Sequence, residues 1–140
     1  MCTTAGNPVT TASANATLDV IENEHLVERS AKLGKQAKAF FDKMKDKFDF
    51  IGDVRIYGLN GGIDIVDPAT GKADDDAATQ LITQIFELGA LMITVRGNIL
   101  RFQPPLVIKE TDLNKAFSII EQAMQELNDG KLPPAKPMGW

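Results

Sequence analysis

The stretch Leu100-Arg101-Phe102-Gln103-Pro104-Pro105-Leu106 combines a short apolar strand, one cation and two consecutive prolines. Because side chains alternate along a strand, Leu100 and Phe102 are predicted to face one side and Arg101 the other. Proline fixes φ and cannot donate to a sheet ladder, so the two prolines end the strand and stiffen its last residues. A guanidinium held at such a strand end suits a carboxylate or a phosphate. On alternation alone, a solvent-facing Arg101 is the simpler interpretation.

Upstream of this stretch, the sequence predicts further strands. Residues 91–95 and 99–102 are predicted strands joined by residues 96–98, whose sequence Arg-Gly-Asn is typical of a tight hairpin. Residues 54–65 also alternate between apolar and small or polar side chains, and they follow a predicted turn at residues 51–53. This alternating segment contains Gly58, Gly61 and Gly62. Glycines inside a strand predict a bulge or the close approach of another group.

Apolar residues at helical spacing predict four helices. The first fits residues 8–23, where Asn7 is a good cap, and the second fits residues 25–48. Three consecutive aspartates at residues 74–76 could suggest a metal site, but they are better explained as the capped and acidic start of the third helix. Thr111 is predicted to cap the last helix.

Each predicted helix has an apolar face. The inward residues are predicted to be Val9, Ala12, Ala16 and Val20 in the first helix; Leu26, Leu33, Ala37, Phe40, Met44 and Phe48 in the second; Ala78, Leu81, Ile82, Ile85 and Phe86 in the third; and Leu113, Phe117, Ile120, Met124 and Leu127 in the last. The first helix carries many small side chains, so we expect another helix or a sheet to pack closely against it. Together these elements predict a small, mainly antiparallel sheet covered by helices, of the α+β or α/β class.

Composition excludes several classes of function. The 140 residues are 44% hydrophobic and 24% charged, which fits one globular domain. The net charge of −4 and the interleaved charges argue against nucleic acid binding, and no apolar run approaches the roughly 20 residues of a membrane helix. Cys2 and His25 are the only residues of their kinds, so we expect no internal disulfide, no Cys/His metal site and no Cys-His catalysis. With no signal-peptide pattern, we expect a cytoplasmic protein.

Four stretches in register resemble one enzyme family. They are residues 3–9, 52–59, 87–89 and 100–106. Together they resemble the C-terminal part of the class III aminotransferases of the ornithine and 4-aminobutyrate type, which are fold-type I enzymes that use pyridoxal 5′-phosphate. The resemblance implies a phosphate-loop remnant and connecting helix at residues 1–24, the small C-terminal domain at residues 25–130 and a loose tail at residues 131–140.

The resemblance also implies roles for single residues. Thr3 matches the threonine that binds the cofactor phosphate across the dimer interface, and Thr4 is a weaker match. Arg101 matches the arginine that binds the substrate carboxylate through a bidentate pair. Arg55 matches a family position, where we expect it to order the structure rather than to touch substrate. We therefore expect a homo-oligomer and no metal site.

The activity that the resemblance implies is amino-group transfer from an amino acid, such as 4-aminobutyrate or ornithine, to a 2-oxo acid. The family's catalytic lysine lies upstream of the stretch that contains Thr3, and no lysine of this chain matches it. We therefore expect this chain to be a fragment that is inactive alone and does not bind the cofactor. Two alternatives remain open: an amino-acid racemase or epimerase of the same family, and a non-catalytic domain that acts through association with a partner chain.

Overall fold

The computed structural model describes residues 6–135. The elements in chain order are α1 (Pro8–Asn23), α2 (Leu26–Lys47), β1 (Ile51–Tyr57), β2 (Asn60–Ile65), α3 (Asp75–Glu87), β3 (Ile93–Val95), β4 (Ile99–Phe102) and α4 (Glu110–Asn128). Among the described residues, none of the helices is both long and apolar enough to cross a bilayer. Helices and strands thus occur in the predicted order.

The strands form one four-stranded sheet in the order β1-β2-β4-β3. Every neighbouring pair of strands is antiparallel. Ile63 at the centre of β2 lies opposite Val54 on one side and Leu100 on the other, and Leu100 in turn lies opposite Thr94 of β3. The predicted small antiparallel sheet is confirmed.

Three helices enclose the core with this sheet. α2 packs against β1, α3 packs against the other three strands, and α4 packs against α2 and α3. The largest fully buried side chains are Phe41, Phe48, Leu33, Met44, Ile63, Ile65, Leu81, Ile85, Leu100, Leu113 and Met124. Leu100 and Phe102 point into this core whereas Arg101 is exposed, as alternation along β4 predicted. Burial of each large apolar side chain contributes about 1.5–3 kcal/mol, so this face fixes the orientation of β4.

Helix α1 stands apart from this core. It contains no buried residue, and Val9 is 77% exposed. Its last turn meets α2 at His25, where a left-handed backbone (φ 50°) redirects the chain. The predicted close packing of the α1 face is therefore wrong for the described part of the chain, because the contacts of α1 with α2 bury none of its side chains.

One further helix prediction is incomplete and two are wrong in detail. Phe40 is half-buried and packs against the core as predicted, but the fully buried aromatic of α2 is Phe41. Phe86 is 62% exposed, because α3 presents that side chain away from the sheet. The cap of α4 is Lys109, without a side-chain hydrogen bond, and Thr111 already lies within the helix.

The turn predicted at residues 51–53 is also wrong. These residues begin β1, and a register shift between Ile51 and Val54 marks a bulge there. The chain instead turns at residues 49 and 50. Glycine in a strand is typical of such a bulge, so Gly52 bends the strand rather than ending it.

Two local predictions are confirmed. The Asp74 side chain accepts a hydrogen bond from the Ala77 amide at 2.9 Å and caps α3. The glycines do permit close approach: Gly58 forms the β1–β2 turn with φ 58°, and a Cβ added to Gly34 of α2 would lie 2.4 Å from its Cα atom. The helix therefore touches the hairpin turn backbone to backbone.

Candidate functional site

Arg101 is exposed on the face of β4 opposite to the one that carries the buried Leu100 and Phe102. It sits in β4 directly opposite Gly62 of β2 on one side and Ile93 of β3 on the other. The residues that follow, Gln103 and Pro104, leave the sheet, so Arg101 is at the end of the strand as predicted. None of the described residues forms an ion pair with it. Its guanidinium is thus exposed and keeps its donors for an anion.

A cavity of about 380 Å³ adjoins this cation. Its apolar wall includes Leu91, Ile93, Pro104, Ile108, Leu113 and Ile120. The proline pair ends β4 and forms part of the wall, while α4 supplies the floor through residues that are also part of the core. An apolar concavity with few polar groups is the usual form of a small-molecule site, and its volume falls within the common range of roughly 300–1,000 Å³. Sequence periodicity alone could not show that α4 contributes to it.

A second arginine on the same face is already paired. Arg55 Nη1 donates to Asp53 Oδ2 at 2.7 Å and to Asp64 Oδ2 at 2.9 Å, while its Nη2 donates to the other oxygen of Asp64. Lys45 Nζ lies 3.8 Å from Asp53 Oδ1. The bonds to Asp64 and then to Asp53 raise the pKa of the Arg55 guanidinium, and the bond from Arg55 lowers the pKa of Asp53 below its usual value.

Gly62 separates the two arginines. In the sheet register it lies opposite Arg55 on β1 and opposite Arg101 on β4. A Cβ added to Gly62 would lie 2.9 Å from Cγ2 of Ile99 and 3.8 Å from Nη2 of Arg55. The missing side chain therefore makes room for Ile99 of β4, while the Arg55 guanidinium lies at ordinary contact distance from the same position.

The described residues fit a bound carboxylate better than a covalently attached cofactor. Arg101 offers a planar donor fork beside an apolar wall, which matches a carboxylate that carries an aliphatic group. No lysine lines the cavity beside it. Thr3 and Thr4, the residues expected at the cofactor phosphate, lie outside the described residues. The pairing of Arg55 with Asp53 and Asp64 was not predicted from the sequence. The available signal is that Asp53 lies two residues from Arg55, and Asp64 two residues from Gly62, on strands that pair.

Comparison with known proteins identifies the family. The family model for class III aminotransferases matches residues 2–124. Isoleucine 2-epimerase from Lentilactobacillus buchneri is 50% identical over 138 residues, which cover 98% of this chain and 31% of that protein. A probable 4-aminobutyrate aminotransferase from Bacillus subtilis is 40% identical over 126 residues, covering 88% of this chain and 29% of that protein.

The fold agrees with these relationships. The crystal structure of acetylornithine aminotransferase from Elizabethkingia anophelis matches with a TM-score of 0.80 at 38% identity, over 90% of this chain and 32% of that one. This chain therefore spans about a third or less of the length of each relative. The fold corresponds to the small C-terminal domain of the fold-type I transaminases. Because the family model covers most of its length, the chain belongs to the class III aminotransferase family.

Proposed function

We propose that this chain forms the small domain of a longer pyridoxal-phosphate-dependent enzyme that acts on an α-amino acid, and that Arg101 binds the carboxylate of that substrate. The observation that carries the proposal is the exposed Arg101, which has no ionic partner among the described residues and is one of the residues that line an apolar cavity. A charge-assisted bidentate pair would fix both the position and the orientation of the carboxylate.

The reaction that we propose is inversion of configuration at the α-carbon of an aliphatic amino acid. Support comes from the 50% identity with isoleucine 2-epimerase across nearly the whole chain. The apolar neighbours of Arg101 add to it: Ile93 lies directly opposite and is 49% exposed, and Leu91 is 78% exposed. A substrate held by Arg101 would lay an aliphatic side chain along such a surface without burying a charge.

Within this reaction the chain binds and orients the substrate. The cofactor, when bound, stabilises the negative charge that develops at the α-carbon as its proton leaves. Arg101 holds the carboxylate in one plane, so that the α-carbon and its hydrogen keep a fixed direction. The apolar wall excludes water from the carboxylate and strengthens its pairing with the guanidinium. Thr3, and less strongly Thr4, would contribute a hydroxyl to the cofactor phosphate of the neighbouring subunit in a homodimer.

Amino-group transfer to a 2-oxo acid is the second candidate. It is supported by the 40% identity with the probable 4-aminobutyrate aminotransferase and by the fold shared with acetylornithine aminotransferase. Both reactions use the same cofactor and need a carboxylate clamp, so Arg101 would serve either one. A purely non-catalytic role through a partner chain predicts neither reaction.

The two reactions are distinguished by one assay on the longer enzyme loaded with pyridoxal 5′-phosphate. L-isoleucine is supplied with and without 2-oxoglutarate, and chiral chromatography follows D-allo-isoleucine while a coupled assay follows glutamate. We expect D-allo-isoleucine in both reactions and little glutamate. Glutamate formation without inversion would establish the aminotransferase instead, and neither product would favour the non-catalytic role.

The role of Arg101 is tested by a matched pair of variants. Arg101→Lys keeps the charge but loses the fork, and we expect KM for L-isoleucine to rise about 10- to 100-fold. Arg96→Asn removes an exposed cation from the β3–β4 turn and keeps a residue type that tolerates its φ of 54°. In that control, KM should stay within about twofold of the unmodified value, because an exposed arginine in a turn is not expected to bind the substrate carboxylate. Equal effects in the two variants would refute the carboxylate clamp.

A further inference from the structure

We propose that Arg55 is a positioning residue that keeps Arg101 available to the substrate by holding the neighbouring carboxylate of Asp64. The inference rests on the proposed role of Arg101 in binding the substrate carboxylate. It assigns to the Arg55 network a part in substrate affinity, in addition to ordering the sheet.

The sheet register places Asp64 between two arginines. Gly62 lies opposite both Arg55 and Arg101, and Asp64 follows two residues later on the same face of β2. Asp64 is therefore diagonal to each arginine. Diagonal partners on one sheet face are about 7–8 Å apart at their backbones, which a long side chain can span. Either guanidinium is thus within reach of the same carboxylate.

Arg55 bonds both oxygens of that carboxylate. Its Nη1 and Nη2 bond one Asp64 oxygen each, and Nη1 also bonds Asp53. Asp53 in turn lies near Lys45, so two cations and two anions form a closed and electrically balanced group. Asp64 is the more buried member of its ion pair with Arg55: 24% of its side chain is exposed, against 43% for Arg55. A carboxylate in that setting gains most from a bidentate partner.

Gly62 places no side chain of its own between Asp64 and Arg101. The neighbouring side chain there is Ile99, directly opposite Asp64 and half-buried, whose Cγ2 would lie 2.9 Å from a Cβ added to Gly62, so a pair between Asp64 and Arg101 has to form past this side chain. If Arg55 were absent, the Asp64 carboxylate would lose its partner, and Arg101 is the remaining arginine in a diagonal position. An internal Asp64–Arg101 pair would then compete with the carboxylate of the substrate, as an unpaired carboxylate seeks a charge-assisted bond.

The kinetic test uses three variants of the longer enzyme. Arg55→Gln should raise KM for L-isoleucine about 10-fold, with a smaller change in kcat, because a competing ion pair must be broken before binding. Asp64→Asn alone should change KM by less than about twofold. The double variant Arg55→Gln/Asp64→Asn should restore KM to near the unmodified value. If Arg55 only ordered the sheet, the double variant would be impaired at least as strongly as Arg55→Gln, and that result would overturn the proposal.

A second measurement needs no activity. In the 140-residue chain, the Arg101 side-chain Nε–H signal is followed by NMR during titration with acetate. We expect a saturable shift in the unmodified chain, a weaker acetate response in Arg55→Gln and recovery in the double variant. An Arg101 response that is the same in all three proteins would overturn the proposal. Thermal unfolding of each variant verifies that the fold is retained.

The variants Arg101→Lys and Arg55→Gln separate this inference from the proposed function. A KM that rises in Arg101→Lys but not in Arg55→Gln would overturn this inference alone. A KM that changes in none of the variants, Arg101→Lys included, would show that the proposed substrate role of Arg101 is wrong, and the inference would fall with it.

Discussion

A Cβ atom added to Gly34 would lie 2.4 Å from the Cα and carbonyl oxygen of Gly58, so α2 and the β1–β2 turn meet without an intervening side chain. Ser30, one turn earlier in α2, accepts a hydrogen bond from the Leu59 amide at 3.0 Å. This junction sets the position of the hairpin against α2. Because β2 carries Gly62 and pairs with β4, the junction also fixes where the candidate site lies.

Substitution of Gly34 should therefore destabilise the chain. Gly34→Ala would force the helix away from backbone atoms that cannot rotate aside, and we expect the free energy of unfolding to fall by about 1–3 kcal/mol. Urea denaturation of the 140-residue chain measures this change. Lys43→Ala, at an exposed position of the same helix, is the matched control and should stay within about 0.5 kcal/mol. If the urea midpoint of Gly34→Ala were unchanged, α2 and the β1–β2 turn would be able to move apart without loss of stability, which would contradict this prediction.

Phe41 should be among the most sensitive core positions. Its ring is fully buried and meets Phe102 of β4 edge-on, with ring centroids 5.4 Å apart. Phe41→Ala removes this contact and leaves a cavity, and we expect a loss of about 3–5 kcal/mol in the free energy of unfolding. Phe86→Ala makes the same chemical change at a side chain that is 62% exposed, and it should cost much less. Similar costs for the two variants would contradict the assignment of the core.

The sequence predicted the elements better than their contacts. Strand alternation correctly placed Arg101 outward, because one β4 face is wholly apolar and burial leaves a single choice of register. Helical spacing could not choose between Phe40 and Phe41, since adjacent positions both border one apolar stripe and the choice depends on Phe102 and Phe117 from distant segments.

The other differences between the sequence predictions and the structure have similar causes. Thr111 has the right residue type for a cap, but α4 begins two residues earlier than a cap at Thr111 would require. The apolar residues of α1 were correctly predicted as a helix face, yet no described element covers them. For the candidate site, the sequence motif proposes Arg101, whereas the pairing of Arg55 with Asp64 depends on a sheet register that crosses a bulge.

The Asp53–Arg55 pair gives a pH-dependent prediction. The folded-state pKa of Asp53 lies below its unfolded value because Arg55 bonds the ionised form. Its contribution to stability is therefore present above the unfolded pKa of about 3.9 and is lost as pH falls through the lower folded value. A ¹³C NMR titration of the Asp53 carboxyl group should show this depressed pKa, and Arg55→Gln should raise it toward the ordinary value. A titration that Arg55→Gln leaves unchanged would contradict the pairing.

Helix α1 should be the least protected helix of the 140-residue chain. It buries no side chain, and an isolated 16-residue helix is only marginally stable in water. Its amide hydrogens should exchange near the rates of an unfolded peptide, whereas those of α2, whose apolar face is in the core, should approach the protection of global unfolding. Hydrogen exchange followed by NMR measures both helices in one sample. Protection of α1 that grows with protein concentration would instead show that a second copy covers it.

The 140-residue chain alone should not bind pyridoxal 5′-phosphate covalently. No lysine lines the cavity beside Arg101, so no amine of the described residues is placed there to attack the cofactor aldehyde. With stoichiometric cofactor followed by borohydride reduction, mass spectrometry should find the chain almost wholly unmodified, and the mixture should neither racemise L-isoleucine nor produce glutamate. The longer enzyme, treated in the same way, should be modified at a single lysine outside these 140 residues. One dominant modified lysine within this chain, accompanied by turnover, would require a complete active site here and would refute the proposal that this is one domain of a larger enzyme.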